Sequence, residues 1–287
     1  MRFPIKFKME VLSATLRRLL SNQADPVPLI SERMDAATFS LRVSSICIDG
    51  VWKTTRPTRH VLSNQLLRRH LGGRTGIFVL DVGVSDGVTC TEFVELLGTS
   101  CARFYATDLY FSIRALERKG VWYFYPSVGN MCVMAVTRRL IYYNVRGSML
   151  NPFRLLAAMV CGRAPRPESA HEIALVNPQL RALAVVDARV TLAEWSLFTP
   201  WQHEPMDAIR VANVLNVAYF SAARLRFALN NLCGVLVEGG LLCVVENRDV
   251  ESATLFQKRM GRLVVVERTG AKSDVEMLCE DSRHCCV

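Results

Sequence analysis

The sequence predicts an α/β protein built on a mostly parallel, doubly wound sheet. An apolar segment at residues 77–82 runs into a small-residue loop and then into a segment with helical apolar spacing. From residue 185 onward, strand-like and helical segments alternate again. Such alternation is typical of βαβ units, in which helices connect parallel strands. The chain has 287 residues, which is long enough for one such domain with additions or for two domains.

Composition and charge restrict the class of protein. Hydrophobic residues make up 51% and charged residues 21%, which indicates a globular chain. The net charge of +9 favours acidic partners, which are nucleic acid, an anionic membrane surface or an anionic substrate. Because the basic residues are dispersed, a generally basic enzyme is the preferred interpretation. Ten cysteines without a C-x-x-C pair indicate reduced core thiols and no metal site, so we expect a cytoplasmic protein.

Two regions lie outside the regular alternation. Residues 1–75 predict an N-terminal helical cap, because residues 11–20 combine leucines at helical spacing with basic residues. That helix would pack on the protein's own core, form a dimer contact or lie on a membrane surface. Residues 76–287 form the main domain, with an insertion at about 110–185. The aromatic segments and arginines of this insertion fit packing over the sheet, with a nucleotide platform as the alternative.

The loop after the first strand carries the most specific pattern. Asp81, Gly83 and Gly87 give D-x-G-x-x-x-G, whereas Ser85 and Val88 occupy positions where the dinucleotide fingerprint requires glycine. The loop resembles motif I of the class I S-adenosylmethionine (SAM) dependent methyltransferases, with Ser85 in place of the usual middle glycine. The resemblance implies SAM as cofactor. It also implies a seven-stranded sheet whose last strand is antiparallel.

The resemblance extends to a second strand and to later segments. Asp108 ends a short strand 21 residues after Gly87, where a carboxylate can accept hydrogen bonds from a ribose diol. Residues 185–191, 205–216 and 241–246 match further strands, and a last hairpin is expected from residues 262–268 and 274–279. The cofactor-binding residues implied in this way are Asp81, Gly83, Val84, Ser85, Gly87, Asp108, Leu109, Trp195, Ser196 and Asn213.

The predicted function is methyl transfer from SAM to an unidentified acceptor, with a small molecule slightly favoured. Since the sulfonium already activates the methyl group, the protein mainly aligns the reactants, and a general base is optional. Tyr219, His203 and Glu246 are the candidate bases. A non-catalytic SAM-binding or interaction module is the alternative, and a nicotinamide-dependent oxidoreductase is less favoured. Homodimerisation and contact with nucleic acid or an anionic membrane stay open, since no motif supports them, and a peripheral membrane location stays open with them.

Overall fold

The computed structural model describes residues 3–31, 33–54, 56–145, 151–247 and 250–281, with side chains described up to residue 279. The chain folds as two compact units, each assembled from two separate stretches. The first unit combines residues 1–55 with 110–178, and the second combines residues 56–109 with 179–287. No helix in the described part of the chain is long and apolar enough to cross a membrane.

Strands and helices are numbered in chain order. The strands β1 to β16 are Ile5–Lys8, Asn22–Gln23, Cys47–Ile48, Val51–Trp52, Ile77–Val82, Cys101–Asp108, Ser112–Arg118, Val121–Pro126, Met134–Val136, Leu140–Tyr143, His171–Ala174, Val190–Glu194, Met206–Ala212, Leu236–Asn247, Glu251–Arg259 and Arg262–Thr269. The helices α1 to α8 are Ala14–Leu19, Ala36–Val43, Val61–Leu71, Val88–Leu97, Pro152–Gly162, Pro178–Val186, Ala222–Val235 and Asp274–Asp281.

The first unit is built on a sheet in the order β11-β7-β8-β9-β10-β1-β2. Its neighbours are antiparallel except for the parallel pair β1 and β2. Strand β1 joins the sheet through Ile5, which pairs with Tyr142 of β10. The predicted helical cap at residues 1–75 is therefore wrong. Most of it forms one unit with the insertion, and α3 belongs to the second unit.

The second unit contains a sheet in the order β12-β6-β5-β13-β14-β15-β16. The first five strands in this order are parallel. Numbered within the unit, the order is 3-2-1-4-5-6-7. The mostly parallel, seven-stranded, doubly wound sheet is therefore confirmed. On one face of the sheet, the core includes the apolar side chains of Leu80, Ile209, Val211, Leu242 and Val244.

The end of this sheet differs from the sequence prediction. Strand β15 is antiparallel to β14, and β16 is antiparallel to β15, so the antiparallel strand is the penultimate one. Residues 274–279 lie in helix α8 and form no hairpin with β16. Ser273 and Glu276 explain this, since the Ser273 hydroxyl accepts a hydrogen bond from the Glu276 amide at 3.1 Å. This S-x-x-E spacing is a helix-starting signal that outweighs the apolar alternation of the segment.

The third strand of the unit also begins later than predicted. Residues 185 and 186 are the last of α6, and β12 starts at Val190. Asp187 and Arg189 form an ion pair in the intervening turn, with Arg189 Nη2 2.6 Å from Asp187 Oδ2. The segment at residues 185–191 is therefore not one strand. Its first two residues end α6, a turn follows, and only its last two residues belong to β12.

Candidate active site

The sheet of the second unit reverses its winding direction between β5 and β13, which are neighbours in the parallel ladder. The crevice outside the carboxyl ends of the strands at such a point is where open α/β sheets bind ligands. Four segments leave the sheet along this carboxyl edge, after β5, β6, β12 and β13. These segments contain eight of the ten residues predicted to bind the cofactor, and the other two, Asp81 and Asp108, lie at the carboxyl ends of β5 and β6.

The loop after β5 is held against β6 by its own backbone. The amides of Gly83 and Val84 both donate to the carbonyl of Thr107, at 2.8 and 3.1 Å. Gly83 and Gly87 have φ angles of +73° and +82°, a region that favours glycine. Ser85 has a φ of +61°, although it carries a side chain. The backbone at Ser85 therefore takes a left-handed conformation without a glycine in the middle of the motif.

Gly83 is also required by packing. A Cβ atom built on Gly83 would lie 2.2 Å from Cγ2 of Val214, in the segment after β13. Gly87 is similar, because a Cβ atom there would lie 2.1 Å from Cδ2 of Leu180. Both glycines thus let the loop approach neighbouring side chains of the same unit.

We expect Gly83→Ala to lower the free energy of unfolding by about 2–3 kcal/mol, because it adds a steric clash to backbone strain. Gly239→Ala is the matched control, since Gly239 has a φ of +78° and no atom within 4 Å of its built Cβ. Urea unfolding measures both variants. An equal loss of stability in the two proteins would show that the contact with Val214 contributes nothing.

Asp108 links the ends of the first two strands of the unit. Its Oδ2 accepts a hydrogen bond from the Ser85 amide at 2.7 Å. On its other side, the Asp108 carbonyl accepts a bond from the Trp195 amide, and Asp108 pairs with Glu194 in the β6–β12 ladder. The carboxylate that the sequence analysis assigned to a ribose diol therefore lies at the carboxyl edge and contacts the glycine loop.

Asp86 occupies the N-terminus of α4. Its side chain is fully buried, and its Oδ1 accepts a hydrogen bond from the Val88 amide at 3.1 Å. The Cys90 amide donates to the Gly87 carbonyl. A negative side chain at a helix N-terminus is stabilised by the helix dipole and satisfies an amide that would otherwise face a ligand. This helix end consequently carries its own anion.

Beneath the loop lies a buried ion pair between Asp81 and Arg210. The exposed fractions of the two residues are 2% and 1%. Arg210 Nε donates to Asp81 Oδ1 at 2.8 Å, and Nη2 donates to Oδ2. Burial lowers the pKa of Arg210, and the adjacent Asp81 carboxylate more than offsets that effect, so the pKa is raised. Asp81 therefore acts inside the protein, where it supports the end of β5.

Three further side chains surround this ion pair. Asn64 of α3 accepts a hydrogen bond from Arg210 Nη1. The Phe93 ring lies 4.3 Å from the guanidinium carbon, which is cation–π geometry. The Cys90 thiol donates to Asp81 Oδ2 at 3.0 Å. The ion pair thus joins α3, α4, β5 and β13 below the candidate cofactor loop.

His60 precedes α3 and is 5% exposed. Its Nδ1 lies 3.4 Å from Nδ2 of the Asn247 side chain, at the carboxyl end of β14. Burial, with the nearby charges of Arg210 and Arg59, lowers the pKa of His60 to about 3. The imidazole is therefore neutral at pH 7.

The low pKa of His60 predicts a loss of stability in mild acid. The unfolded state takes up a proton below its ordinary pKa of 6.5, while the folded state does so only near 3. Stability is therefore complete above pH 6.5 and falls as the pH drops, by about 2 kcal/mol between pH 7 and pH 5. We expect His60→Gln to flatten this part of the pH profile in urea unfolding. His171→Gln, at an exposed histidine of β11, is the control and should leave the slope unchanged. An unaltered slope in His60→Gln would contradict the assignment.

The segment after β12 has well-defined contacts of its own. Trp195 donates to the Pro200 carbonyl at 3.4 Å, and its ring lies 5.1 Å from that of Trp201. The Ser196 hydroxyl accepts a hydrogen bond from the Phe198 amide at 3.2 Å. Trp195 is therefore a packing anchor of this segment. A contact of either side chain with adenine stays a prediction.

The other cofactor candidates occupy different surroundings. Val84 is buried, whereas Leu109 is 48% exposed directly after Asp108. Asn213 has a φ of +59°, and its Oδ1 accepts a hydrogen bond from the Asn247 amide at 2.7 Å. Asn213 thereby joins the ends of β13 and β14 at the carboxyl edge. In the described part of the chain, no cluster of three or more His, Cys, Asp or Glu side chains could hold a metal ion.

The three candidate bases lie in separate places. His203 precedes β13, so about 20 Å of strand separates it from Asn213, and it is wrong as a base at the carboxyl edge. Glu246 is buried, and its Oε1 accepts a hydrogen bond from the Asp274 amide at the start of α8. Tyr219 is 47% exposed in the segment after β13. Tyr219 is the candidate whose position still fits a role toward substrate.

Three features occur in the same unit. They are the strand order 3-2-1-4-5, the glycine loop after the first strand and the acidic residue at the end of the second strand. The second unit has a Rossmann-like, doubly wound fold, as the resemblance to the class I SAM-dependent methyltransferases implies. The meander β14-β15-β16 completes the sheet, with an end that differs from the one the resemblance implies.

Comparisons with known proteins add remote structural similarities. No family model and no curated protein matches the chain. Among solved structures, the chain is similar to the N-methyltransferase NodS from Bradyrhizobium japonicum WM9 bound to S-adenosyl-L-homocysteine, at 17% identity, covering 75% of each chain, with a TM-score of 0.34. It is similar to CalS10, an amino pentose methyltransferase from Micromonospora echinaspora, at 14% identity, covering 70% of this chain and 62% of CalS10, with a TM-score of 0.30. LepI, in complex with S-adenosyl-L-homocysteine and a substrate analogue, has 13% identity over 68% of this chain and 34% of its own, with a TM-score of 0.36. The chain thus spans about a third of the length of LepI, and the fold assignment depends on the strand order.

Sequence reasoning missed the buried residues of this fold. Arg210 is the one charged residue among the apolar residues 208–212, which signals a buried partner because an unpaired charge is costly inside a protein. The sequence could not identify that partner as Asp81, 129 residues earlier. The roles of Asn64 and His60 likewise depend on where α3 packs, for which the sequence carries no signal.

Proposed function

We propose that the second unit binds SAM at the carboxyl edge of its sheet and transfers the methyl group to a small-molecule acceptor. The observation that carries this proposal is the position of Asp86. A dinucleotide places its pyrophosphate on the amides at a helix N-terminus. Asp86 fills that place with a buried carboxylate, which would repel a pyrophosphate. SAM has no phosphate, so the same site disfavours NAD and tolerates SAM.

The charges at the carboxyl edge support this choice. Asp86, Asp108 and Glu194 are acidic, while Arg210 is neutralised by Asp81. SAM carries a positive sulfonium and an ammonium group, and both are attracted to carboxylates. Its ribose hydroxyls are donors that suit Asp108, which already holds the loop through Ser85. An acidic edge thus matches a cationic cofactor.

The protein's main contribution to the proposed reaction is to align the reacting groups. When SAM is bound, its sulfonium supplies an electrophilic methyl group. The protein then has to hold the acceptor atom in line with the methyl carbon and the sulfur. Asn213 and the segment after β13 lie where the acceptor would approach. We assign Tyr219 the role of receiving a proton from an acceptor that needs deprotonation.

Aromatic side chains after β12 and β13 favour an acceptor with an apolar or aromatic part. The Arg224 guanidinium lies 4.2 Å from the ring centre of Phe198 and 5.5 Å from that of Phe220. Phe198 also lies 6.4 Å from Phe227, which is 53% exposed. Such surfaces contribute contact area with few polar groups to satisfy.

A transfer assay tests the proposed reaction. The protein is incubated with SAM carrying a labelled methyl group and with separated small-molecule, lipid, protein and RNA fractions of a cell extract. We expect label in the small-molecule fraction, lost in the Asp108→Ala variant. Label confined to protein or RNA would contradict the proposed acceptor class.

A second candidate function is SAM binding without catalysis. It is favoured by the candidate bases, since Glu246 caps α8 and His203 lies at the opposite edge. This function predicts that SAM binds and that no fraction receives label. Labelled product from any fraction would reject it.

A further inference from the structure

The net positive charge of the protein belongs to one unit. The stretches 1–55 and 110–178 contain 17 of the 35 Lys and Arg residues but only eight of the 26 Asp and Glu residues. The other unit contains 18 of each kind. The first unit thus carries +9, and the second unit is neutral. The charge is therefore not a general property of a basic enzyme.

Helix α5 of the first unit has an apolar outer surface. Only Ala157 and Cys161 of this helix are buried against the sheet. The exposed apolar residues of the helix are Phe153, Leu155, Leu156 and Met159. Phe3 extends this surface, because its ring lies 4.8 Å from that of Phe153 and is itself exposed. The helix contains no acidic residue, and Arg163 and Arg166 directly after it are exposed.

Helix α1 has a similar character. None of its residues is buried, which excludes packing on the core of the protein. Leu16 and Leu19 are exposed, the latter at 74%, and Arg17 and Arg18 lie between them. A short helix that exposes leucines beside arginines is unfavourable in water unless another surface covers it.

We propose that the first unit binds the surface of an anionic lipid membrane through α1 and α5. The exposed leucine, phenylalanine and methionine side chains would enter the boundary between headgroups and acyl chains. The arginines would pair with anionic headgroups, toward which the +9 charge of the unit attracts it. The two helices are too short to span a bilayer and fit a position in its interface.

Nucleic acid is the less suitable partner for this surface. Bases stack on exposed aromatic rings, but Tyr123, Tyr125 and Tyr143 of the first sheet are buried. The aromatic platform that the sequence analysis left open therefore lies largely inside the unit. Most of the exposed apolar side chains on α1 and α5 are aliphatic, which suits acyl chains better than bases.

Vesicle flotation tests the proposal on the full chain. The protein is mixed with vesicles of phosphatidylcholine alone or with an equimolar amount of phosphatidylserine. We expect it to float with the anionic vesicles only and to be released by high salt. Absence of binding to both kinds of vesicle would overturn the proposal. So would equal binding to both kinds of vesicle.

Paired variants locate the surface. Leu156→Asp combined with Met159→Asp should lower the partition coefficient about tenfold, and so should Leu19→Asp in α1, where no residue supports the core. The matched control is Val185→Asp with Val186→Asp, at two strongly exposed valines of α6 in the other unit. Circular dichroism and SAM affinity should be unchanged in all three proteins. An equal loss in the control would contradict the assignment to α1 and α5.

A single-stranded oligonucleotide provides the competing partner. If it binds with the affinity expected of the vesicles and the Asp substitutions weaken that binding, the surface is a nucleic-acid site and the proposal is wrong. If it binds weakly and Arg17→Glu with Arg18→Glu releases the protein from anionic vesicles, the proposal stands.

Discussion

Replacing Arg210 with methionine is expected to lower the free energy of unfolding by about 3–5 kcal/mol. The substitution leaves the Asp81 carboxylate buried at 2% exposure without its partner. It also removes the hydrogen bond to Asn64 and the contact with the Phe93 ring. Urea unfolding followed by circular dichroism measures the loss.

A double substitution separates the ion pair from simple packing. Adding Asp81→Leu to Arg210→Met removes both charges, and we expect it to restore much of the lost stability, because two apolar groups need no hydrogen-bond partners. Arg226→Met, at an exposed arginine of α7, is the control and should change stability by less than about 0.5 kcal/mol. If the double variant were less stable than Arg210→Met alone, the penalty would not come from an unpaired Asp81.

Replacing Asp108 with alanine is expected to weaken SAM binding by about 1–3 kcal/mol. Two losses contribute. The ribose would lose a charged acceptor, and the Ser85 amide would lose the bond that holds the glycine loop at 2.7 Å. Asp108→Asn should have a smaller effect, because its amide oxygen can still accept from Ser85.

The control for Asp108 is a carboxylate away from the carboxyl edge. Asp187 lies before β12, at the amino edge, where it pairs with Arg189. We expect Asp187→Ala to bind SAM as the unaltered protein does in isothermal titration. Unchanged affinity in Asp108→Ala would mean that Asp108 does not contact the cofactor.

The central sheet was predictable because its signals are local. Each of the strands 77–82, 101–108 and 206–212 is a short, largely apolar segment, and glycine or a polar residue stands at or just after its end. Gly83 and Gly87 are also local signals, because glycine in a loop indicates a backbone position with a positive φ angle. These features led to the loop and to Asp108 without any knowledge of long-range contacts.

The first unit was not predictable for the opposite reason. Its sheet requires Ile5 to pair with Tyr142, a contact between residues far apart in the chain. Residues 11–20 have helical spacing, but the apolar face that this spacing predicts is exposed instead of packed. Amphipathic spacing indicates that a face will be covered and does not identify what covers it.

Binding of cofactors to the unaltered protein tests the central claim most directly. Isothermal titration with SAM, S-adenosyl-L-homocysteine and NAD under the same conditions compares the three. We expect SAM and S-adenosyl-L-homocysteine to bind at one site per chain and NAD not to bind, because Asp86 occupies the helix end that a pyrophosphate needs. Binding of NAD without binding of SAM would contradict the account.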